Sequence, residues 1–214
     1  MVTKRWLAML KLTRPMYWML WFTPLSFGYL SRGTEPQYVH LVSMMAWMAI
    51  WDTFENVHNY LADRDEDRMN IPHGARLPEI VGIERLRKAF SWRTIVPLGV
   101  LYYSWLFWTG AGVWTTILLT IAGLIALMYN VGPRFKARGR WAQFAIVAPY
   151  LLLYWAGHSW GRGLTTPPSV IVLASMVILL AAVQKDLPDV SGDVGAGLSN
   201  WYSPGLARRV YLAG

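Results

Sequence analysis

Two groups of acidic residues have the type and spacing to bind divalent metal ions. The first group is Asn59, Asp63 and Asp67 within NYLADRDED, spaced i, i+4, i+8, so that all three fall on one face of a helix. Carboxylate and amide oxygens are the ligands that hard divalent cations prefer. The competing interpretation is a solvated helix end, where these acidic residues accompany Arg64 and Arg68.

The second group lies far along the chain and has a similar arrangement. Asp186, Asp189 and Asp193 within KDLPDVSGD are spaced i, i+3, i+7, which is again one helical face. Lys185 precedes them and could either neutralise the aspartates or bind a phosphate as a point charge. Two such groups facing one cavity would hold metal ions, and the metal would hold a polyphosphate.

The elements that must position these groups are apolar helices. The chain has 214 residues, of which 55% are hydrophobic and 15% charged, whereas soluble domains carry about 25% charged residues. The mean hydropathy is +0.29. Apolar stretches of roughly 16 to 20 residues match the length that crosses about 30 Å of hydrocarbon. We therefore predict an all-α, polytopic transmembrane helical bundle. The predicted spans are Pro15–Leu30, Tyr38–Val57, Thr94–Gly110, Val113–Asn130, Ala142–Trp160 and Ser169–Gln184.

The distribution of positive charge gives an orientation. With the N-terminus inside, all of the 20 Lys and Arg residues except Arg32 and Arg162 fall in inner segments. This asymmetry explains the net charge of +8 without nucleic acid and predicts a multi-pass integral membrane protein of the cell or inner membrane. The N-terminus and both acidic groups would then be cytosolic. No small-residue cleavage site follows the first apolar run, so we expect that span to be retained. The absence of cysteine excludes a thiolate metal site or nucleophile.

The motifs resemble those of a known family. The chain is similar to the UbiA superfamily of intramembrane prenyltransferases, which carries N-x-x-x-D-x-x-x-D after its second span and D-x-x-x-D after its sixth. KDLPDVSGD resembles the branch that prenylates homogentisate and chlorophyll precursors, while DRMNIPHGARLP, MYNVGPRFKARGR and the TRP at 13–15 resemble other family segments. The family usually has nine spans, so we expect residues 1–214 to form a single UbiA-like membrane domain with its C-terminal spans missing.

The resemblance implies that two Mg²⁺ ions bridge the acidic motifs and an isoprenoid diphosphate. The implied catalytic residues are Asp63, Asp67, Asp189 and Asp193. The implied metal ligands are Asn59, Asp63, Asp67, Asp186, Asp189 and Asp193, where Asp186 could instead orient another ligand. The candidates for diphosphate binding are Lys185, Arg134, Lys136 and Arg14, although the inner positive charge alone equally explains Arg134 and Lys136.

Two residues are candidates for the cavity itself. Asp52 lies seven residues before Asn59 and could extend the polar stripe into the cavity to contact an acceptor. Tyr129 could contact phosphate, stabilise a carbocation, or be an ordinary interfacial tyrosine. His58 adjoins Asn59 but lies about 100° around the helix, so we do not expect it to be a ligand.

Three functions remain open. The first is Mg²⁺-dependent transfer of a prenyl group from an isoprenoid diphosphate to an aromatic or other lipophilic acceptor in the bilayer. The second is a terpene cyclase of the same superfamily, which uses the same metals but quenches the cation internally. The third is a non-catalytic truncated member or an ion-handling protein; transporters, however, more often place their polar groups near mid-membrane.

Overall fold

Helices make up all the regular structure that can be described. The computed structural model describes residues 2–62, 77–130, 133, 135 and 140–164, and within these ranges it contains no strand. The helices are α1 (Val2–Thr13), α2 (Pro15–Leu30), α3 (Tyr38–Ala62), α4 (Leu77–Val81), α5 (Ile83–Ala89), α6 (Trp92–Trp108), α7 (Val113–Asn130) and α8 (Arg140–His158). The prediction of an all-α fold is confirmed over this part of the chain.

The long helices follow the predicted apolar segments closely. Helices α2 and α7 have the predicted bounds, and α6 and α8 each begin and end two residues earlier than predicted. Helix α3 differs most, since it continues beyond Val57 to Ala62 and so includes Asn59 in its last turn. The apolar run ends there, but no Pro or Gly stops the helix. The predicted sixth span, Ser169–Gln184, lies outside the described residues.

The helices at the predicted spans do not by themselves confirm that the chain crosses a membrane. In the described part of the chain, no helix is both long enough and apolar enough to cross a membrane.

The chain between α3 and α6 is partly helical, although no span was predicted there. Two short helices, α4 and α5, form in it. Pro78 lies in the first turn of α4, where proline costs little because no intrahelical bond needs its missing N–H. Gly82 separates the two helices with φ of 107°, a conformation that favours glycine.

Helices α2 and α8 cross so closely that two glycines meet. A Cβ on Gly28 would overlap the Tyr154 carbonyl oxygen and lie 2.9 Å from the His158 nitrogen. A Cβ on Gly157 would in turn overlap the Leu25 carbonyl oxygen. Close approach of two backbones requires small residues at the crossing, as is common where helices pack in membranes. Helix α8 also packs on α7, and α3 packs on both α2 and α7.

One end of this bundle, which we call the arginine end, is formed by residues 31–37, 109–112 and 159–164. Arg32 donates from Nη1 to the Trp160 carbonyl at 2.9 Å, and Arg162 donates to the Arg32 carbonyl at 2.6 Å. The Gly161 N–H also donates to the Ala111 carbonyl at 2.8 Å. The two arginines that charge sorting assigned to the outer side therefore lie together.

The opposite end, which we call the motif end, is formed by residues 13–14, 58–62, 86–92 and 129–130. An apolar cluster packs there and attaches α1 and α5 to α3. Its buried members are Leu12, Phe54, Val57, Tyr60, Leu86 and Phe90. Because this cluster seats the last turns of α3, it fixes the position of Asn59.

Candidate functional site

The last turns of α3 carry the described part of the first motif. Asn59 is half-buried, and its Oδ1 is buried with no hydrogen-bond partner among the described residues. His58 Nε2 is in the same state. Buried polar atoms are nearly always paired, so each such atom calls for an explanation. An amide oxygen acceptor four residues before Asp63 in the sequence has the chemistry of an Mg²⁺ ligand.

Unpaired atoms also occur elsewhere in the described residues. Trp105 Nε1, Trp160 Nε1 and Ser159 Oγ are buried without partners. Both indole nitrogens are donors, which cannot bind a cation. Ser159 has no measurable exposure and lies at the arginine end. Among these atoms, the Asn59 oxygen is the one that combines acceptor chemistry with a place in an acidic motif.

Arg14 occupies a strained backbone position beside the same helix end. It joins α1 to α2 with φ of 44° and ψ of 61°, the left-handed region that non-glycine residues seldom adopt. The following Pro15 disfavours the helical alternative. Arg14 Nε donates to the Tyr60 hydroxyl at 3.1 Å, and its guanidinium lies 4.6 Å from the centre of that ring. Arg14 is thus held against Tyr60, the residue that follows Asn59 in α3.

A cavity of about 680 Å³ opens between α3, α6 and α7. Asp52, Glu55 and His58 line it from α3, at a spacing of three residues that places them along one side of the helix. Trp51 and Tyr102 contribute aromatic faces, with their ring centres 5.6 Å apart. The cavity therefore has a mostly apolar wall with an acidic stripe on α3, and Arg87 of α5 lines it as well. A mostly apolar lining with a few polar groups is the usual composition of a small-molecule site.

Asp52 is the deepest charged group of that stripe. Its side chain is buried, with 4% exposure, and its Oδ2 accepts a bond of 2.7 Å from Asn56 Nδ2. Trp21 of α2 lines the same cavity. A carboxylate offers about four acceptor positions, so the bond from Asn56 orients Asp52 and leaves it able to accept a further bond.

The structure describes only some of the predicted site residues. Tyr129 is half-buried in the last turn of α7, just beyond Ala126 and Leu127 of the cavity wall. Asn59, Asp52, Arg14 and Tyr129 thus all belong to α3, α7 or the α1–α2 junction. Outside the described residues lie Asp63, Asp67, Arg134, Lys136, Lys185, Asp186, Asp189 and Asp193. Within the described ranges, no group of three or more His, Asp or Glu residues could hold a metal ion.

Several cavity residues were not predicted from the sequence. Glu55 has a signal, since it lies four residues before Asn59 and three after Asp52, where helical spacing could have identified it. His58 lines the cavity although its neighbour Asn59 is the motif residue. Phe90 has no signal, because it reaches the cavity only through the turn between α5 and α6.

The fold and the site together define a helical protein with a polar-striped apolar cavity under a motif of metal-ligand type. No family model and no curated protein matches the chain. Two solved structures do match. A UbiA homologue from Archaeoglobus fulgidus bound to DMAPP and Mg²⁺ is 25% identical, with a TM-score of 0.71 over 90% of this chain and 67% of that one. A UbiA homologue from the same organism bound to GPP and Mg²⁺ is 24% identical, with a TM-score of 0.72 over 95% of this chain and 72% of that one.

This likeness agrees with the resemblance found in the motifs. The chain has the fold of the UbiA homologues, and the prediction of the UbiA superfamily is confirmed. The finer prediction of the homogentisate and chlorophyll branch is not confirmed by these matches.

Proposed function

We propose that this protein transfers a prenyl group from an isoprenoid diphosphate to an aromatic or other lipophilic acceptor, in an Mg²⁺-dependent reaction within the membrane. The observation that carries the proposal is the Asn59 oxygen, which is buried without a described partner at the motif end. Its neighbours in the last turns of α3, His58 and Ala62, line the 680 Å³ cavity. The matched homologues, which were solved with DMAPP or GPP and Mg²⁺, support the same substrates and cofactor.

The residues proposed to hold Mg²⁺ are oxygen donors on two segments. Asn59, Asp63 and Asp67 form one set; Asp189 and Asp193 form the other, with Asp186 as a further ligand or as a residue that orients one. Bound Mg²⁺ would neutralise the departing diphosphate. The aspartates act by fixing the position of that charge, so Asp63, Asp67, Asp189 and Asp193 are the proposed catalytic residues.

Arg14, at the motif end, is proposed to bind the diphosphate. Its bond to Tyr60 uses one of the five N–H donors of a guanidinium. Stacking against Tyr60 and Tyr17, at 4.6 and 5.4 Å from the ring centres, limits its side-chain freedom. We propose Lys185, Arg134 and Lys136 as further phosphate-binding residues on grounds of charge and motif position.

The cavity below is proposed to receive the prenyl chain and the acceptor. Its apolar wall excludes water, which would otherwise capture an allylic carbocation. The faces of Trp51 and Tyr102 carry the negative potential that stabilises a cation. Asp52 is proposed to accept a hydrogen bond from the acceptor, and Tyr129 to contribute near the phosphate end.

Membrane location is proposed from the surface. Many large apolar side chains are exposed, among them Phe107 at 90%, Tyr38 at 78% and Trp108 at 74%. Apolar surface exposed on this scale is consistent with a membrane contact. Together with the charge asymmetry, this supports a bilayer around a single domain over residues 1–214, with its motif end cytosolic.

The proposal is tested by diphosphate release from the purified protein in detergent. We expect release from geranyl or geranylgeranyl diphosphate to require Mg²⁺ and to be lost in Asp63→Ala and in Asp189→Ala, while both variants stay folded. Retained activity in both variants would contradict the metal assignment. Product analysis with and without a panel of aromatic acceptors distinguishes a transferase from a cyclase. Without an acceptor, a cyclase gives a cyclised product, whereas a transferase that releases diphosphate gives the prenyl alcohol by capture of water.

A further inference from the structure

A second, wholly uncharged groove lies beside the central cavity. It has a volume of about 620 Å³ and opens between α1, α3 and α6. Its lining contains no charged residue, and apart from threonines and tryptophans it is formed by apolar side chains such as Met9, Leu10 and Ile50. Such a groove fits a hydrocarbon chain and excludes a diphosphate or a charged acceptor.

Two aromatic rings separate the groove from the central cavity. Phe54 of α3 and Phe90 of the α5–α6 turn each line both spaces. Their ring centres are 4.8 Å apart at an interplanar angle of 69°, an edge-to-face contact, and each residue is only 8% exposed. The wall between the two spaces is therefore this pair of rings.

Two residues of the central cavity adjoin the rings. Phe54 also contacts the Trp51 ring, with centres 6.2 Å apart. His58, one turn further along α3, lines the central cavity beside Phe90. The contact between Phe54 and Phe90 itself ties the α5–α6 turn to α3, so the two rings form one unit.

The position of Phe54 and Phe90 relates the two rings to the length of the bound prenyl chain. Phe54 precedes Asn59 by five residues, which is about 7.5 Å along a helix axis. A chain whose diphosphate is bound at Asn59 would thus run past the rings before it reaches the floor of the cavity.

We propose that the Phe54–Phe90 pair is a partition that sets the length of isoprenyl chain this protein uses, by closing the uncharged groove to the far end of a long chain. This inference rests on the proposed prenyl transfer. Removing either ring joins the uncharged groove to the central cavity, so that the far end of a longer prenyl chain can enter the groove. A partition that only supports packing would instead reduce turnover of all chain lengths alike.

The first test compares kcat/KM for geranyl and geranylgeranyl diphosphates in wild type, Phe54→Ala and Phe90→Ala. We expect the C20 to C10 ratio to rise about tenfold in either variant, the scale of discrimination that pocket size provides. The double variant should add little, because one ring already opens the wall. Phe54→Leu should shift the ratio in the same direction even if the alanine variants fold poorly. Phe107→Ala, at an exposed position on α6, should leave the ratio unchanged.

The second test needs no turnover and exploits the absence of cysteine. Ala49→Cys places one thiol in the groove, and Ala126→Cys places one in the central cavity. With Mg²⁺ present, we expect geranylgeranyl diphosphate to protect Cys at 126 from a maleimide in any background, and Cys at 49 only when Phe54→Ala is also present.

The outcomes separate the two proposals. Protection at 126 but not at 49 in the Phe54→Ala background would overturn the partition, and so would protection at 49 with both rings intact. An unchanged C20 to C10 ratio in folded Phe54→Leu and Phe90→Ala would also overturn it. No protection at 126, together with no Mg²⁺-dependent diphosphate release from wild type, would overturn the proposed function, and the partition with it.

Discussion

The arginine end and the motif end of the bundle differ in how their polar groups are used. At the arginine end, Arg32 and Arg162 bind backbone carbonyls of other connections, and the Gly161 N–H binds Ala111. At the motif end, the Asn59 oxygen has no described partner and Arg14 binds a tyrosine rather than backbone. Both ends contain buried unpaired atoms, but only the motif end has them beside a cavity that includes a charged stripe.

This contrast separates polar residues that hold the fold from those that are available for chemistry. Polar groups that join three connections through backbone bonds have little capacity for a ligand. Groups left unpaired next to a cavity destabilise the protein unless a ligand binds them. We therefore expect substitutions of Arg32 and Arg162, the bonded side chains of the arginine end, to change stability. Substitutions of the unpaired or proposed binding residues at the motif end should instead change Mg²⁺ and substrate dependence.

The largest effect on stability is expected where α2 crosses α8, near the arginine end. Gly157→Ala would overlap the Leu25 carbonyl and place a methyl group 2.7 Å from the Tyr29 nitrogen. Both are backbone atoms, which no rotamer change can move aside. We expect a loss above about 3 kcal/mol, the upper end for overpacking, seen as loss of folded protein or a lowered unfolding midpoint in detergent.

The matched control is Gly99→Ala in α6, where an added Cβ meets nothing within 4 Å. There we expect a small gain, since alanine favours helix over glycine by about 1 kcal/mol. If the Gly157→Ala and Gly99→Ala variants were equally stable, the close backbone approach of α2 and α8 would be contradicted.

The largest effect on activity is expected at the motif end. Asn59→Ala removes a proposed ligand and also a buried oxygen that has no described partner. The Mg²⁺ concentration for half-maximal diphosphate release should rise about 10- to 100-fold, the scale seen when groups around a metal are altered. The free energy of unfolding without metal should change by less than about 1 kcal/mol, because no described bond of that oxygen is lost.

Gln37→Ala, an exposed amide at the arginine end, serves as the control and should change neither quantity. A large loss of stability in Asn59→Ala with an unchanged Mg²⁺ requirement would show that Asn59 stabilises the fold and does not bind the metal.

The sequence predicted the helices better than it predicted their connections. Apolar length alone gave α2 and α7 their bounds, because these segments end where hydrocarbon gives way to Gly or polar residues. It missed α4 and α5, since short helices around Pro78 and Gly82 depend on packing against neighbours rather than on periodicity. It also grouped Arg32 with Arg162 from charge alone, and these residues are in contact.

The candidate site residues differ in the same respect. Asn59 and Asp52 could be proposed from the sequence because ligand type and helical spacing are properties of one segment. The partition formed by Phe54 and Phe90 was not identifiable, because 35 residues of intervening chain must fold back before the two rings meet. Contacts between elements of this kind are decided by tertiary packing, which no local pattern encodes.

A moderate effect on stability is expected for Arg32→Met. The change removes the bonds to the Tyr29 and Trp160 carbonyls, at 2.8 and 2.9 Å, and the stacking on the Tyr29 ring at 3.6 Å. Bonds from charged donors contribute about 1.5–3 kcal/mol, so we expect unfolding to become easier by about 2 kcal/mol. Diphosphate release per folded molecule should stay at the wild-type rate. A fall in that rate at unchanged stability would place Arg32 among the functional residues and erase the contrast between the ends.

The smallest effect is expected for Arg14→Gly, where stability and function should change in opposite directions. Glycine adopts positive φ without penalty, so relief of the strained backbone at φ of 44° favours the variant by about 1 kcal/mol. Loss of the bond and stacking to Tyr60 opposes part of that gain. The guanidinium is also lost from the proposed diphosphate site, so KM for geranyl diphosphate should rise about tenfold while kcat changes less.

Arg14→Lys keeps the charge but not the planar stacking, and should give an intermediate KM. A residue that is kept in an unfavourable backbone conformation for packing alone would show no KM change in either variant, whereas a binding residue should show it in both. The paired measurement of KM and unfolding free energy therefore decides whether the strain at Arg14 serves the fold or the site.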